Sequence, residues 1–501
     1  MLLLLCSLVF PPLILVLLLK IRASTRNGVL PPGPPRFPII GNLHQLSNST
    51  LHCTLQQLSR RYGPLVYLQL GGVPAVVVSS AEMAKEILKI LDLESSGRPF
   101  HANVYKVTYK KSDMVFSSYG EYWRERRKIC IIALFCTKSV QSFRFIREDE
   151  ISILLKSISK FASASNPVNL SEMIFSTANN IICRIAFGKS FPHESSEGSA
   201  FYEMLDERHA LAGRFAFANY FPSVGWMLDA LTGLNAKLER DFQRFDSFHK
   251  QIIEDHLDPK RTKPEKEDIV DTLLRMQKDK TSTIDFTLDT IKAILMDILI
   301  AGADTTTSTL VWAMTLLAKN PTVMKKAQNE VRSLIGNKGK ITEDDLHQFH
   351  YLKCVIKETL RLQPPAPLLV PRETMQHCTI DGYNISSKTV VMVNAWAIGR
   401  DPQYWENPEE FIPERFTKSS IDFRGQHFEF IPFGSGRRIC PGMQLGVVIV
   451  ELILANLLYS FNWELPEGIK EEDIDMEALF AIIMHKKNNL HLVATKCNDH
   501  H

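Results

Sequence analysis

One cysteine, Cys440, sits in the stretch FGSGRRICPG, Phe433 to Gly442, between a basic glycine-punctuated loop and a long apolar run. Gly434 and Gly436 allow positive φ and a close approach of backbone to a planar ligand, and Arg438 can neutralise an acidic group on it. The apolar run predicts a helix over 441–460. At its start, backbone N–H groups and the helix dipole favour a thiolate, the form a metal ligand requires. A free cysteine is otherwise commonly a small core residue.

A second stretch, DILIAGADTTTSTLVWAM from Asp297 to Met314, lies inside an apolar segment predicted to be one helix over 287–318. About 32 residues at 1.5 Å each span ~48 Å, enough to cross a domain. Gly302 and the threonines fill such a helix poorly, and threonine hydroxyls compete for its carbonyls, loosening a turn that then has room for a diatomic ligand. Asp304 and Thr305 put an acid beside an alcohol, groups that pass protons through ordered water. Glu358 and Arg361 in KETLR share a helical face, and PERF at 413–416 supplies Arg415. Apolar neighbours of that pair predict partial burial, where opposite charges need one another. In YWRERRK, Trp123 and Arg127 share a face, while Arg124, Arg126 and Lys128 suggest a basic docking surface.

The elements that must hold these residues read mainly as helix. Helices are expected over 81–92, 117–135, 138–161, 171–187, 235–256, 267–278, 287–318, 321–336, 343–347, 350–362 and 441–459. Strand patterns occupy 66–78, 377–393 and 478–495. Hydrophobic residues make up 45% and charged residues 23% of the 501, an ordinary globular composition. Length alone suggests about three domains. The net charge of +3 is too small to indicate nucleic acid. Nine scattered cysteines lack CxxC, zinc-like or CxxCH spacing, which argues for a reducing compartment and against iron-sulfur, structural zinc or covalent c-type haem sites. No Walker A loop or GxGxxG turn is present, so nicotinamide electrons would have to come from another protein.

From Leu2 to Leu19 the chain is uncharged and leucine-rich, followed by Lys20, Arg22 and Arg26. That length reaches the lower limit of a membrane span, and the trailing positive charge leaves the remainder in the cytosol. The prolines of LPPGPPRFP, from Leu30, form a stiff joint after it. The expected organisation is a signal anchor over 1–20, a basic, proline-rich hinge over 21–45 and a catalytic domain over 46–501.

The pattern FxxGxRxCxG is complete at Phe433, Gly436, Arg438, Cys440 and Gly442, and [AG]GxDT[ST] at Ala301, Gly302, Asp304, Thr305 and Thr306. These motifs, with KETLR, PERF and WxxxR in the same order, resemble the cytochrome P-450 superfamily, in particular its plant microsomal A-type branch. The resemblance implies one mainly α domain with a small β-sheet region, superseding the estimate of three. It implies haem b with Cys440 as axial ligand, haem contacts from Phe433 and Gly442, and propionate contacts from Trp123, Arg127, Arg372 and Arg438. It assigns proton delivery to Thr305 and Asp304, and a structural charge network to Glu358, Arg361 and Arg415. The implied reaction inserts one oxygen atom from O2 into a small apolar plant metabolite, a terpenoid, alkaloid, phenolic or aldoxime. Electrons come from NADPH through NADPH-cytochrome P-450 reductase, with cytochrome b5 as an optional donor, at the endoplasmic reticulum membrane. Substrate contacts are expected from Phe116, Ala301, Ala303, Ala366, Leu368 and Phe480, with no evident polar anchor. Two alternatives stay open: a haem-thiolate isomerase or dehydratase, and a non-catalytic haem sensor or electron carrier.

Overall fold

The computed structural model describes residues 29–46, 51–164, 166–192, 195–262, 265–279 and 286–497. The expected anchor lies outside these residues. Counting helices of seven residues or more, the order is α1 (Leu51–Tyr62), α2 (Glu121–Cys130), α3 (Arg144–Ser163), α4 (Leu170–Phe187), α5 (Ser196–Ala212), α6 (Gly225–Leu231), α7 (Leu234–Leu257), α8 (Ile269–Lys278), α9 (Leu288–Lys319), α10 (Pro321–Ile335), α11 (His350–Leu362) and α12 (Met443–Ser460). The strands are β1 (Leu65–Leu70), β2 (Val73–Val78), β3 (Pro167–Asn169), β4 (Arg372–Glu373), β5 (Cys378–Ile380), β6 (Tyr383–Ile385), β7 (Val390–Val393), β8 (Phe461–Glu464), β9 (Ala478–Phe480), β10 (Met484–Lys486) and β11 (His491–Lys496).

Helix α9 forms the axis of the fold. Thr287 caps its start by accepting the Thr290 N–H, and Asn320 separates it from α10, which begins on Pro321. It packs against α4, α11 and α12 within a continuous apolar core that runs from Val104 to Ala494. Gly302 is where α4 comes closest: a Cβ there would stand 2.9 Å from Ile182 Cδ1. Thus the glycine expected to make room for a ligand also lets two helices meet. Both α9 and α12 are long and apolar enough to cross a membrane, yet both are largely buried within the fold.

The main sheet has the order β1-β2-β7-β4, with β2 and β7 parallel in the register Ala75↔Val390 to Val78↔Val393. A second sheet, β3-β11-β8, joins the chain's carboxy-terminal part to α4, and β5-β6 and β9-β10 are hairpins. Two expected helices contain π-helical turns, at Glu86–Ile90 and Ile131–Phe135. Helices α1, α5 and α6 were not expected. In α5 the polar and apolar residues follow no clear helical stripe, because buried Arg208 lies among its apolar positions and pairs with buried Asp241 of α7.

Behind the segment that leads to Cys440, Glu358 has no solvent exposure. Its Oε2 and Oε1 accept Arg361 Nε and Nη2, each at 2.7 Å, and Oε1 also accepts Arg415 Nε at 2.9 Å and the Ile412 N–H at 2.8 Å. Arg361 in turn donates to the carbonyls of Gly399, Pro408 and Glu410. One carboxylate thereby ties α11 to the chain from Gly399 to Arg415. Replacing Glu358→Gln leaves buried guanidiniums without their anion and is expected to destabilise the protein by about 3–5 kcal/mol. Denaturant unfolding measures this; a change under about 1 kcal/mol would mean that the network does not hold the segment.

Candidate active site

An apolar cavity lies between α9, α12 and the 432–442 loop, and Cys440, Phe433, Gly442, Thr305 and Ala301 all line it. The loop is shaped by a hydrogen bond from Cys440 N–H to Phe433 O at 3.0 Å and by positive φ at Gly434 (71°) and Gly436 (68°). At Gly436 the tight approach is to protein: a Cβ would sit 2.2 Å from Leu88 O. Helix α12 starts at Met443, slightly later than expected, so Cys440 precedes its first turn. Burial pushes the Cys440 thiol up, against the opposing effects of the Gly442 and Met443 amides and the Arg127 charge. The amides at the helix start favour the thiolate as expected, but burial outweighs them. Coordination to a metal cation would deprotonate such a thiol outright.

The opposite requirement appears at the rim, where Arg98, Arg127, Arg372 and Arg438 line the same cavity. Arg372 donates to Asp92 Oδ1 at 2.8 Å and Ser435 O at 2.9 Å. Arg127 donates to Ile439 O. Arg438 donates to Ser96 O and Ser117 O, but its Nη1 is buried with no partner. Burial, followed by repulsion from Arg372 and Arg127, pushes Arg438 down to about 9. Arg98 is held well below its ordinary value by burial and then by Arg438 and Arg372. It donates to Val115 O, Val370 O and Pro371 O, at 2.7–2.8 Å. A cation cluster with an unused N–H, beside a lone sulfur in an apolar slot, fits a flat apolar ligand with anionic substituents and a central metal. Haem has that chemistry.

Arg98 was missed in the sequence, although an arginine in the GRPF stretch after an apolar helix is a usable signal. Trp123 has a different position from the one expected: its indole N–H donates to Met114 O at 2.9 Å, and its ring lies under Arg438 at 4.2 Å. It supports an arginine and does not line the cavity. Arg126, expected on a docking surface, is buried; it lies over the Tyr122 ring and donates to Asp113 O. Arg124 and Lys128 remain exposed.

On α9, Thr305 Oγ1 donates to Ala301 O at 2.7 Å, as Thr306 and Thr309 do to their own preceding turns. The adjacent Asp304 is buried and faces α5, where His209 Nε2 is 2.5 Å from its Oδ2. Burial would lower His209, but the charge and hydrogen bond of Asp304 outweigh it and hold the imidazole above its ordinary value. The acid and alcohol are thus neighbours in sequence on different faces. His209 had no local signal, because its helix was not expected.

Among the expected substrate contacts, Ala301 and Ala366 line the cavity. Ala303 is buried in the core on another face of α9. Leu368 packs with Leu55 and Leu70 under the main sheet, and Leu369, at φ 52°, turns the chain so that Leu369 and Val370 line the cavity instead. Phe116 packs against the core, outside the cavity lining, and Phe480 pairs with Met484 in the β9-β10 hairpin. A separate hollow of about 1150 Å³ between α10 and β8 has Arg332 already donating to Asn462 and Phe461, and none of the motif residues reaches it.

A family model described as Cytochrome P450 matches residues 31–493. Curated relatives include "Cytochrome P450 71AP13" of Prunus mume, 48% identical over 96% of this chain and 94% of that protein. "Strychnine-11-hydroxylase" of Strychnos nux-vomica is 48% identical over 96% of this chain and 94% of that protein. "Cytochrome P450 71A9" of Glycine max is 49% identical over 96% of both. A solved zebrafish cytochrome P450 with abiraterone superposes with a TM-score of 0.76 at 25% identity, covering 89% of this chain and all of that one.

Substituting Gly436→Ala forces a side chain against Leu88 O at a positive φ and is expected to distort the cysteine loop. The fraction of purified chains carrying haem should fall below about half, whereas full loading would mean the loop tolerates a strained residue there.

Proposed function

Because the chain belongs to the cytochrome P450 family and is a haem-iron monooxygenase, we propose that Cys440 ligates the iron and that the enzyme oxidises a small apolar plant metabolite with NADPH electrons relayed by a separate reductase. The observation that carries this reading is the sharing of one apolar cavity by Cys440, four arginines and Thr305. When bound there, the haem supplies activation of dioxygen, and thiolate ligation favours O–O cleavage.

The chain's own residues do the rest. Arg98, Arg127, Arg372 and Arg438 bind the propionates, and the unpartnered Nη1 of Arg438 is available for one of them. Phe433, edge-on to Phe423 at 5.4 Å, keeps the sulfur side of the cavity apolar. Thr305 holds a proton at Oγ1 over the cavity, and Asp304 relays protons, accepting them from the His209 imidazolium and passing them on when its carboxyl turns from that ring. The range of substrates, terpenoids, alkaloids, phenolics and aldoximes, is inferred from the resemblance of the motifs to the plant A-type branch. One relative's name, a strychnine hydroxylase, suits that range.

The reductase, with cytochrome b5 as an optional second donor, docks on the basic face that includes Arg124 and Lys128. Residues 1–20 anchor the protein in the endoplasmic reticulum membrane as a single pass, 21–45 form the hinge, and 46–501 form the cytosolic catalytic domain. A patch of exposed apolar side chains supports a membrane-facing edge: Phe37, Ile39, Trp226 and Leu231 are all more than half exposed. The two segments that carry them meet at the β1-β2 turn, where Gly71 N–H donates to Ile40 O and Gly72 N–H to Tyr220 O.

For Cys440→Ala the expected result is loss of the red-shifted carbon-monoxide Soret band and of turnover; a retained band would remove this sulfur from the iron. For Thr305→Ala haem binding should persist while peroxide released per NADPH consumed rises about tenfold or more, the scale of a lost general-acid contribution. Unchanged coupling would dismiss the proton role. Turnover measured with and without reductase and dioxygen tests the reaction class.

A further inference from the structure

Among the described residues, Asp297 is the only carboxylic acid lining the cavity. Asp297, Ala301 and Thr305 recur every four residues, so they form one stripe on α9, with Asp297 and Thr305 about 12 Å apart along its axis. Asp297 is nine-tenths buried, with 9% exposure. Its Oδ2 accepts the N–H groups of Met114 at 2.7 Å and Val115 at 3.3 Å. Among the described residues no donor bonds Oδ1 and no cation makes a direct ion pair with the side chain, although the charge of Arg126 acts on it without a hydrogen bond.

A second acid increases the demand for a cation. Asp113 is fully buried; its Oδ2 accepts the Phe116 N–H at 2.6 Å, its Oδ1 has no hydrogen-bond partner among the described residues, and the charges of Arg126 and Arg98 act on it from a distance. The nearby guanidinium of Arg126 donates to the Asp113 backbone carbonyl and not to its carboxylate. Burial first, and then the Asp113 charge, push Asp297 well above the usual carboxylate range. A positive group from outside would reverse that penalty, since a buried charge is tolerated when paired and hydrogen-bonded. Met114, Val115, Ile298 and Val370 give this part of the lining its apolar surface, and the guanidinium of Arg98, also in the lining, is held on the Val115 and Val370 carbonyls.

We propose that Asp297 is the polar anchor of the substrate cavity and that it selects apolar molecules bearing one protonated amine nitrogen, which binds Oδ1 while the carbon skeleton extends toward Thr305. The inference rests on the reading of this cavity as the substrate chamber, and it narrows the substrate class to basic, nitrogen-containing metabolites.

The test uses the haem-loaded full chain and two probes, N,N-dimethyl-3-phenylpropylamine and its uncharged counterpart, methyl 3-phenylpropyl ether, with binding measured by equilibrium dialysis. The wild type should bind the amine about tenfold or more tightly than the ether, the scale of one charge-assisted hydrogen bond. Asp297→Asn keeps an oxygen for the Met114 and Val115 amides while removing the charge. It should abolish the preference with little change for the ether, and Asp297→Glu should retain part of it. A wild type without amine preference overturns the proposal whatever the variants do. Equal weakening of both probes in Asp297→Asn also overturns it, assigning Asp297 to fastening the 114–115 loop alone. An amine that binds through its nitrogen to iron, seen as a Soret shift unchanged by the substitution, does the same. The carbon-monoxide band separates the two readings: its absence from the wild type defeats thiolate ligation, whereas its presence without discrimination defeats only the anchor.

Discussion

A carboxylate that cannot reach water organises the region behind the cysteine. Glu358 is held in the core between Arg361 and Arg415, and each guanidinium completes its hydrogen bonds on backbone carbonyls between Glu406 and Glu410 or at Gly399. Desolvating such charges costs several kcal/mol per ion, so the arrangement is stable only as a set. Its value lies in geometry. It pins an irregular segment with little regular hydrogen bonding of its own, and that segment leads directly to the loop bearing Cys440.

The cavity obeys the same electrostatics with opposite signs at its two parts. The rim holds guanidiniums in excess of their carboxylate partner Asp92, Arg98 and Arg372 buried and Arg127 and Arg438 half-buried, while the floor holds a thiol whose ionisation burial opposes. Each is unfavourable by itself, and each is relieved by one ligand that brings anionic groups to the arginines and a metal cation to the sulfur. A ligand that binds only the folded state adds to its stability. Haem loading and folding of this region are therefore thermodynamically linked.

Helix α9 separates two proton environments by rotation alone. Thr305 faces the cavity, and the next residue back, Asp304, turns about 100° away toward His209. The same rotation puts Asp297 with Ala301 and Thr305 on the cavity side and sends Ala303 into the core. One long helix thus presents Asp297, Ala301 and Thr305 to the cavity and Asp304 to α5, because its residues turn continuously through a single uninterrupted element.

Composition and pattern alone determined the helical character, the extents of α9, α10 and α11, the hairpin of β1 and β2, and the meeting of Glu358 with Arg361, since hydrophobic period and three- or four-residue spacing act within one element. They also marked Cys440, Thr305 and the loop glycines, whose positive φ is a local backbone requirement. Only tertiary structure decided which arginines share the rim, that Trp123 supports Arg438, that Arg126 is buried, and that Leu369 replaces Leu368 at the cavity. These outcomes depend on chain segments hundreds of residues apart and on a single strained turn. The surroundings of the Cys440 thiol were decided the same way: helix dipoles can be read along a chain, but desolvation is a property of everything packed around the sulfur.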